Sequence, residues 1–131
     1  MCGSIRKYHT QMSKNEIQML RNNLINQGFP TLTLHTKMRM EEKGITEEDI
    51  SKALENFYII EFHRKDRGYY GHDNRVVIRG TNRTKGFNIC MSISLSDGHL
   101  VTVYKNYNTD RHPTLDTSKY NRNVEIGKYI N

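Results

Sequence analysis

Apolar residues recur with helical spacing through the first half of the chain, and near residue 58 the period changes to two. Ile17, Leu20, Leu24 and Ile25 fall on one helical face behind a capping-box pattern, Ser13-Lys-Asn-Glu16, and Gly28 with Pro30 ends that helix. A second helix is predicted from about Leu34 to Lys43, with Leu34 and Met38 as its buried side. A third runs from about Glu47 to Phe57 and turns Ile50, Ala53, Leu54 and Phe57 to the core. The turn between them is explicit. Gly44 suits the left-handed residue just past a helix end, Thr46 caps the next helix with Asp49 three residues on, and Ile45 and Ile50 take the staple positions.

From Tyr58 the pattern is that of strands. Tyr58 to Arg64 and Arg75 to Arg79 flank a polar loop with glycines at 68 and 71, and Gly80 to Gly86 is a turn. Phe87 to Leu95 alternates most clearly: Phe87, Ile89, Met91, Ile93 and Leu95 point one way, Asn88, Cys90, Ser92 and Ser94 the other. Ser96-Asp-Gly-His99 makes a hairpin turn and Leu100 to Tyr107 returns. Such short connections predict an α+β fold, with N-terminal helices packed on one face of a four-stranded antiparallel sheet. Residues 1–12 read as extended or frayed. Residues 108–131 read as a polar tail whose Leu115, Val124, Ile126, Tyr129 and Ile130 could dock as a late strand or arm.

At 131 residues the chain has room for one core, so a single domain is expected. Its charge of +6 is uneven: residues 1–57 carry eight Lys/Arg against seven Asp/Glu, residues 58–112 nine against five. The sheet half is the electropositive half, which points to RNA or another polyanion as partner. Read as solubilising charge alone, it needs no partner. Cys2 and Cys90 lie far apart without metal spacing, so a reducing cytoplasm is the expected setting. No run approaches the ~18 apolar residues of a membrane span, and the first residues lack a signal-peptide core. No membrane, metal or cofactor is expected.

The candidate chemistry lies in three places. His35 and Arg39 are four apart on the second helix and share a face; an imidazole exchanges protons near neutral pH, and a guanidinium holds a phosphate in two-pronged fashion. A lone histidine also serves to cap a helix or fill a core edge. Between positions 64 and 85, Arg64, Lys65, Arg67, Arg75, Arg79, Arg83 and Lys85 cluster against Asp66 and Asp73 only, with Tyr69 and Tyr70 placed to stack on bases. The same run also reads as a solvated hairpin whose tyrosines plug its base. On the last strand, Thr102, Tyr104 and Asn106 share one parity, Lys105 and Tyr107 the other; a tyrosine there could donate a proton and Lys105 steady a charge. His63, His72 and Asp73 flank a loop with no recognised ligand spacing.

Residues 34–50, L-H-T-K-M-R-M-E-E-K-G-I-T-E-E-D-I, followed by L-E-N and a strand, resemble a family of short bacterial domains of unassigned function. Its members open with a Leu-His-(Ala/Thr) helix and continue with Arg-Met-x-Glu-(Arg/Lys)-Gly-Ile-(Ser/Thr). They close on a strand similar to Leu-Val-Thr-Val-Tyr, here Leu100 to Tyr104. These domains are grouped with the RelE, BrnT and barnase–EndoU–colicin type of small ribonuclease toxins. The resemblance covers about residues 31–107 and implies a RelE/barnase-like fold. It also implies metal-independent RNA cleavage, in which the ribose 2′-hydroxyl attacks the adjacent phosphate. Position by position it implies His35 as base or acid, Arg39 and Arg79 as phosphate ligands, and Thr102 and Tyr104 as polar residues facing them. Residues 1–30 add a helix, and residues 108–131 a tail, that the family pattern lacks.

The expected function is thus a small basic endoribonuclease of toxin type, with Arg64, Lys65, Arg67, Tyr69, Tyr70, Arg75, Arg83, Lys85 and Lys105 holding the nucleic acid. The alternative is a non-catalytic inhibitor that binds nucleic acid or protein on the same fold, as phage-type host regulators do. An antitoxin, immunity or host protein as partner, and a homodimer, stay open with it.

Overall fold

Capped helices come before most of the sheet in the computed structural model, which describes residues 5–82, 87–107 and 123–130, side chains at 81, 82, 106 and 107 excepted. In chain order the elements are β1 (Ile5–Tyr8), α1 (Lys14–Gln27), α2 (Leu34–Lys43), α3 (Glu47–Glu55), β2 (Phe57–Asp66), β3 (His72–Asn82), β4 (Phe87–Ser94) and β5 (Leu100–Tyr107). The helix starts are those the sequence predicts. Ser13 Oγ accepts from the Glu16 amide at 3.2 Å while the Glu16 carboxylate accepts from the Ser13 amide at 3.0 Å. Thr46 and Asp49 reciprocate in the same way, at 3.1 and 3.0 Å. Gly44 ends α2 at φ 68°, and the Ile45 amide reaches back to the Met40 carbonyl at 2.8 Å. Ile45 and Ile50 are buried, so the staple sets how α3 leaves that turn.

The sheet is an antiparallel meander in the order β1-β2-β3-β4-β5. It therefore has five strands rather than the four expected, because Ile5–Tyr8, expected to be extended or frayed, pairs with Glu61–Arg64. Four residues are too few to carry a readable alternation, and side-chain ties hold them instead. Lys7 is buried; its Nζ donates to Glu16 at 2.8 and 3.1 Å and to the Val124 carbonyl at 2.7 Å. Glu16 also accepts from the Ile126 amide at 3.1 Å, so one carboxylate fastens α1, the edge strand and the C-terminal turn together. Burial pulls that carboxyl upward, yet the Lys7, Ser13 and Ile126 hydrogen bonds prevail and hold it below its ordinary value. Of the expected late arm, Val124, Ile126 and Ile130 are buried around a 3-10 turn at Ile126–Lys128, and Leu115 lies outside the described residues.

One sheet face carries the core. Phe62, Val76, Ile78, Ile89, Met91 and Val103 meet Leu20 and Leu24 of α1, Met40 of α2, and Ile50 and Ala53 of α3. Each of these side chains but Ala53 contributes on the order of 1.5–3 kcal/mol by leaving water. The buried side of α2 differs from expectation. Leu34 and Met38 are 76% and 55% exposed, while Thr36 and Met40 are buried. Thr36 Oγ1 donates to the Leu100 carbonyl at 2.9 Å and Lys43 Nζ to the Val103 carbonyl at 2.8 Å. The outer carbonyls of the edge strand need donors, and that need turns the polar side of α2 inward. Among the described residues no helix is long and apolar enough to cross a membrane.

Candidate functional site

The orientation of α2 places His35 and Arg39 beside the last strand. His35, Thr36, Arg39 and Lys43 line a cleft of about 230 Å³ with Val101, Thr102 and Val103 of β5. His35, Arg39 and Thr102 are exposed, so the helix edge and the strand meet in a solvent-open notch. Two cations, an imidazole and two hydroxyls converge there. That set can hold a phosphate and move a proton.

A second cleft of about 200 Å³ adjoins it, sharing His35, Thr36 and Val101 and continuing past Thr33, His99 and Leu100 to Arg67, Asp73, Arg75, Ser94 and Asp97. Its far end is built on a fully buried carboxylate. Asp73 accepts from Arg75 Nε at 2.6 Å, from Ser94 Oγ at 2.7 Å and from Arg67 at 2.8 Å. Burial pulls its carboxyl up, but Ser94, Arg75 and Arg67 outweigh that and hold it below the usual carboxylate range. The carboxylate thus stays ionised at neutral pH and pins both arginines at the cleft wall. The two clefts share three wall residues, and their charged lining from Lys43 to Arg67 is mostly cationic, with Arg39, Lys43, Arg67 and Arg75 against Asp73 and Asp97.

Arg79 and Tyr104 lie on the sheet face turned away from the helices, outside these two clefts. The register aligns Tyr58, Arg79, Cys90 and Tyr104 in one row across β2 to β5. Arg79 donates to Tyr58 Oη at 3.2 Å. Burial pushes the Cys90 thiol up, against the pull of Arg79. Burial first, and then Cys90, push the Tyr104 phenol well above its ordinary value, so at neutral pH it is a hydrogen-bond donor and no base. Thr102 joins the two regions, since it faces the same way as Tyr104 two residues on and also lines the His35 cleft. The structure therefore brings three of the five expected catalytic residues together and places Arg79 and Tyr104 on the adjoining face. That face is less open than its alternation predicts: Asn88, Cys90 and Ser94 are buried, Cys90 beside the longer Arg79 and Ser94 beside the longer Arg75.

The span that holds both clefts decides the family. Residues 32–112 match the model described as a domain of unknown function, DUF4258. The chain belongs to the DUF4258 family. No curated protein and no solved structure matches it. The DUF4258 span contains His35, Arg39, His99 and Thr102, while β1, α1 and the C-terminal turn lie beyond it.

The expected nucleic-acid ligands of this DUF4258 chain separate by position. Arg67 and Arg75 line the groove. Tyr69 and Tyr70 stand at the β2–β3 turn, 97% and 83% exposed and edge-to-face at 5.6 Å. Lys65 is exposed near the same end. Arg64 instead faces the helix layer, over the Tyr129 ring at 4.4 Å and donating to Asn74 at 2.9 Å, which removes it from a groove role. Lys105 is likewise on the helix side, 4.9 Å from the Phe87 ring centre. Arg83 and Lys85 lie outside the described residues. Of His63, His72 and Asp73, the carboxylate is engaged by arginines, and burial lowers the His63 imidazole to about 4. Sequence reasoning missed Lys43 and His99. The turn Ser96-Asp-Gly-His99 carries a histidine directly before the strand of Thr102, and that adjacency is the signal that could have found it.

Proposed function

We propose that this DUF4258 chain is a metal-independent endoribonuclease of toxin type with a RelE/barnase-like arrangement, cleaving RNA by attack of the 2′-hydroxyl on the neighbouring phosphate. The observation that carries the reading is the cleft in which His35, Arg39 and Lys43 of α2 face Thr102 of β5. His35 would move a proton, Arg39 and Lys43 would hold the non-bridging oxygens and stabilise their charge in the transition state, and Thr102 would position them. Arg67 and Arg75 would bind the next phosphate along the groove, with Tyr69 and Tyr70 stacking on unpaired bases beyond it. A small nuclease active in its own cell also calls for a neutralising protein partner. The test is cleavage of a labelled RNA in excess chelator by the wild type and by His35→Ala. A loss of roughly 10²–10⁴-fold in the variant, at unchanged thermal midpoint, supports the reading; equal cleavage by the two overturns it.

The exposed tyrosine pair beside Arg67 favours a second reading, a non-catalytic nucleic-acid binder. That reading predicts RNA binding that weakens steeply with salt and no cleavage.

A further inference from the structure

General acid–base cleavage of a phosphodiester needs two proton-transfer groups, one to accept and one to give. His35 supplies one. The half-buried phenol of Tyr104, on the sheet face, lies outside its cleft. The second imidazole is His99, in the turn between β4 and β5, which lines the adjoining cleft of about 200 Å³ that His35 also lines. A parallel bridge between Thr31 and His99 brings the turn against the entry to α2. Two backbone bonds fasten it, from the Thr31 amide to the Gly98 carbonyl at 2.8 Å and from the Leu100 amide to the Thr31 carbonyl at 2.9 Å. At about 30 Å³ per water the volume has room for roughly seven waters, enough for one phosphodiester with part of its sugars.

We infer that His99 and His35 form the acid–base pair of the cleavage proposed above, an inference that rests on the ribonuclease reading. As the O2′–P bond forms, the 2′-hydroxyl proton passes to whichever imidazole is neutral. As the P–O5′ bond breaks, the other, protonated, gives its proton to the leaving O5′. The products are a 2′,3′-cyclic phosphate and a 5′-hydroxyl; nothing is oxidised or reduced, and the two imidazoles exchange protonation and reset through solvent. The other charged groups facing this cleft are Arg67, Asp73, Arg75 and Asp97. Asp73 is held by both arginines and Asp97 by Arg67 at 3.5 Å, so neither carboxylate confronts a phosphate unshielded. Arg39 and Lys43 face the adjoining cleft that shares His35.

The experiment follows cleavage of a short labelled RNA by the whole chain in excess chelator between about pH 5 and 9. The wild type gives a bell-shaped profile. His99→Gln lowers kcat by roughly 10²–10⁴-fold, moves KM less than about threefold, and loses one limb of the bell. His99→Asn, a residue at home in tight turns, is measured beside it so that a folding failure of one variant leaves the other. In a wild-type titration with inorganic phosphate, the His35 and His99 ring signals shift together. Variants that keep kcat within about threefold and both limbs of the bell overturn the role of His99 and leave the ribonuclease reading standing. A wild type that does not cleave overturns both.

Discussion

Gly80 lies in β3 directly under α3, at a backbone angle open to any residue, so what it supplies is room. A Cβ built there falls well inside van der Waals contact with the Cα, Cβ and carbonyl oxygen of Ala53. Two of those atoms are helix backbone, which no rotamer change can move. Relief therefore means lifting α3 off the sheet by about 1 Å, a gap that forfeits a quarter to a half of each dispersion contact. Ile50 and Ala53 are fully buried on that face. A core side chain with some 40–60 contacts of about 0.1 kcal/mol each then loses roughly 1–3 kcal/mol, and α3 presents more than one. Against this, replacing glycine stiffens the unfolded chain and returns only about 0.4–1 kcal/mol. The expected net effect of Gly80→Ala is a destabilisation of about 3 kcal/mol. It is read from the urea midpoint at unchanged slope, with far-UV circular dichroism as the signal. In an Ala53→Gly background one obstructing atom of three is gone, so the loss shrinks but does not vanish. A Gly80→Ala midpoint equal to or above wild type refutes the close approach of α3 to β3.

Ile50→Ala, at a fully buried staple position, should cost roughly 2–5 kcal/mol in the same assay; a null result would mean that α3 is turned the other way. On the proposed ribonuclease reading, Arg39→Ala should abolish cleavage while shifting stability by less than about 1 kcal/mol, because the guanidinium is exposed; a large stability loss instead assigns it to the scaffold. His63, lowered to about 4 by burial and then by Arg6, remains neutral in the folded chain while an unfolded imidazole titrates near its ordinary value. The unfolded state therefore binds the extra proton, so stability is full above about pH 6.5, falls as pH drops toward about 4, and levels off below. Discounted for the solvent that reaches this half-buried ring, the loss is about 1–2 kcal/mol. His63→Gln should flatten that part of the midpoint–pH curve, and an unchanged curve rules the assignment out.

Where short-range rules decide conformation, the sequence could be read closely. The Ser13–Glu16 and Thr46–Asp49 boxes and Gly44 sit in the structure as their residue types require, and of the alternation expected over Phe87 to Leu95 the apolar set from Phe87 to Ile93 is buried in β4. The readings that failed depend on partners distant in the chain. Ile5–Tyr8 becomes a strand because Glu61–Arg64 offers a free edge, a fact no four-residue window contains. Leu34 and Met38 were the apolar pair on α2, yet the helix is turned by carbonyls of Leu100 and Val103 that want donors. The same distance effect shaped the site. His35 and Arg39 share a face by helix geometry alone, whereas the arrival of His99 depends on its bridge to Thr31, far away in sequence, and Arg79 falls outside the clefts because it sits in the row of Tyr58, Cys90 and Tyr104, farther along β3 than Asp73 and Arg75.

With a threonine hydroxyl and a lysine ammonium seated on its outward oxygens, β5 gives an incoming peptide little to zip onto. The opposite margin is only four residues long and carries Arg6 and Lys7. Both flanks are thus blunted against ladder growth, so a second copy that associates must do so through side chains.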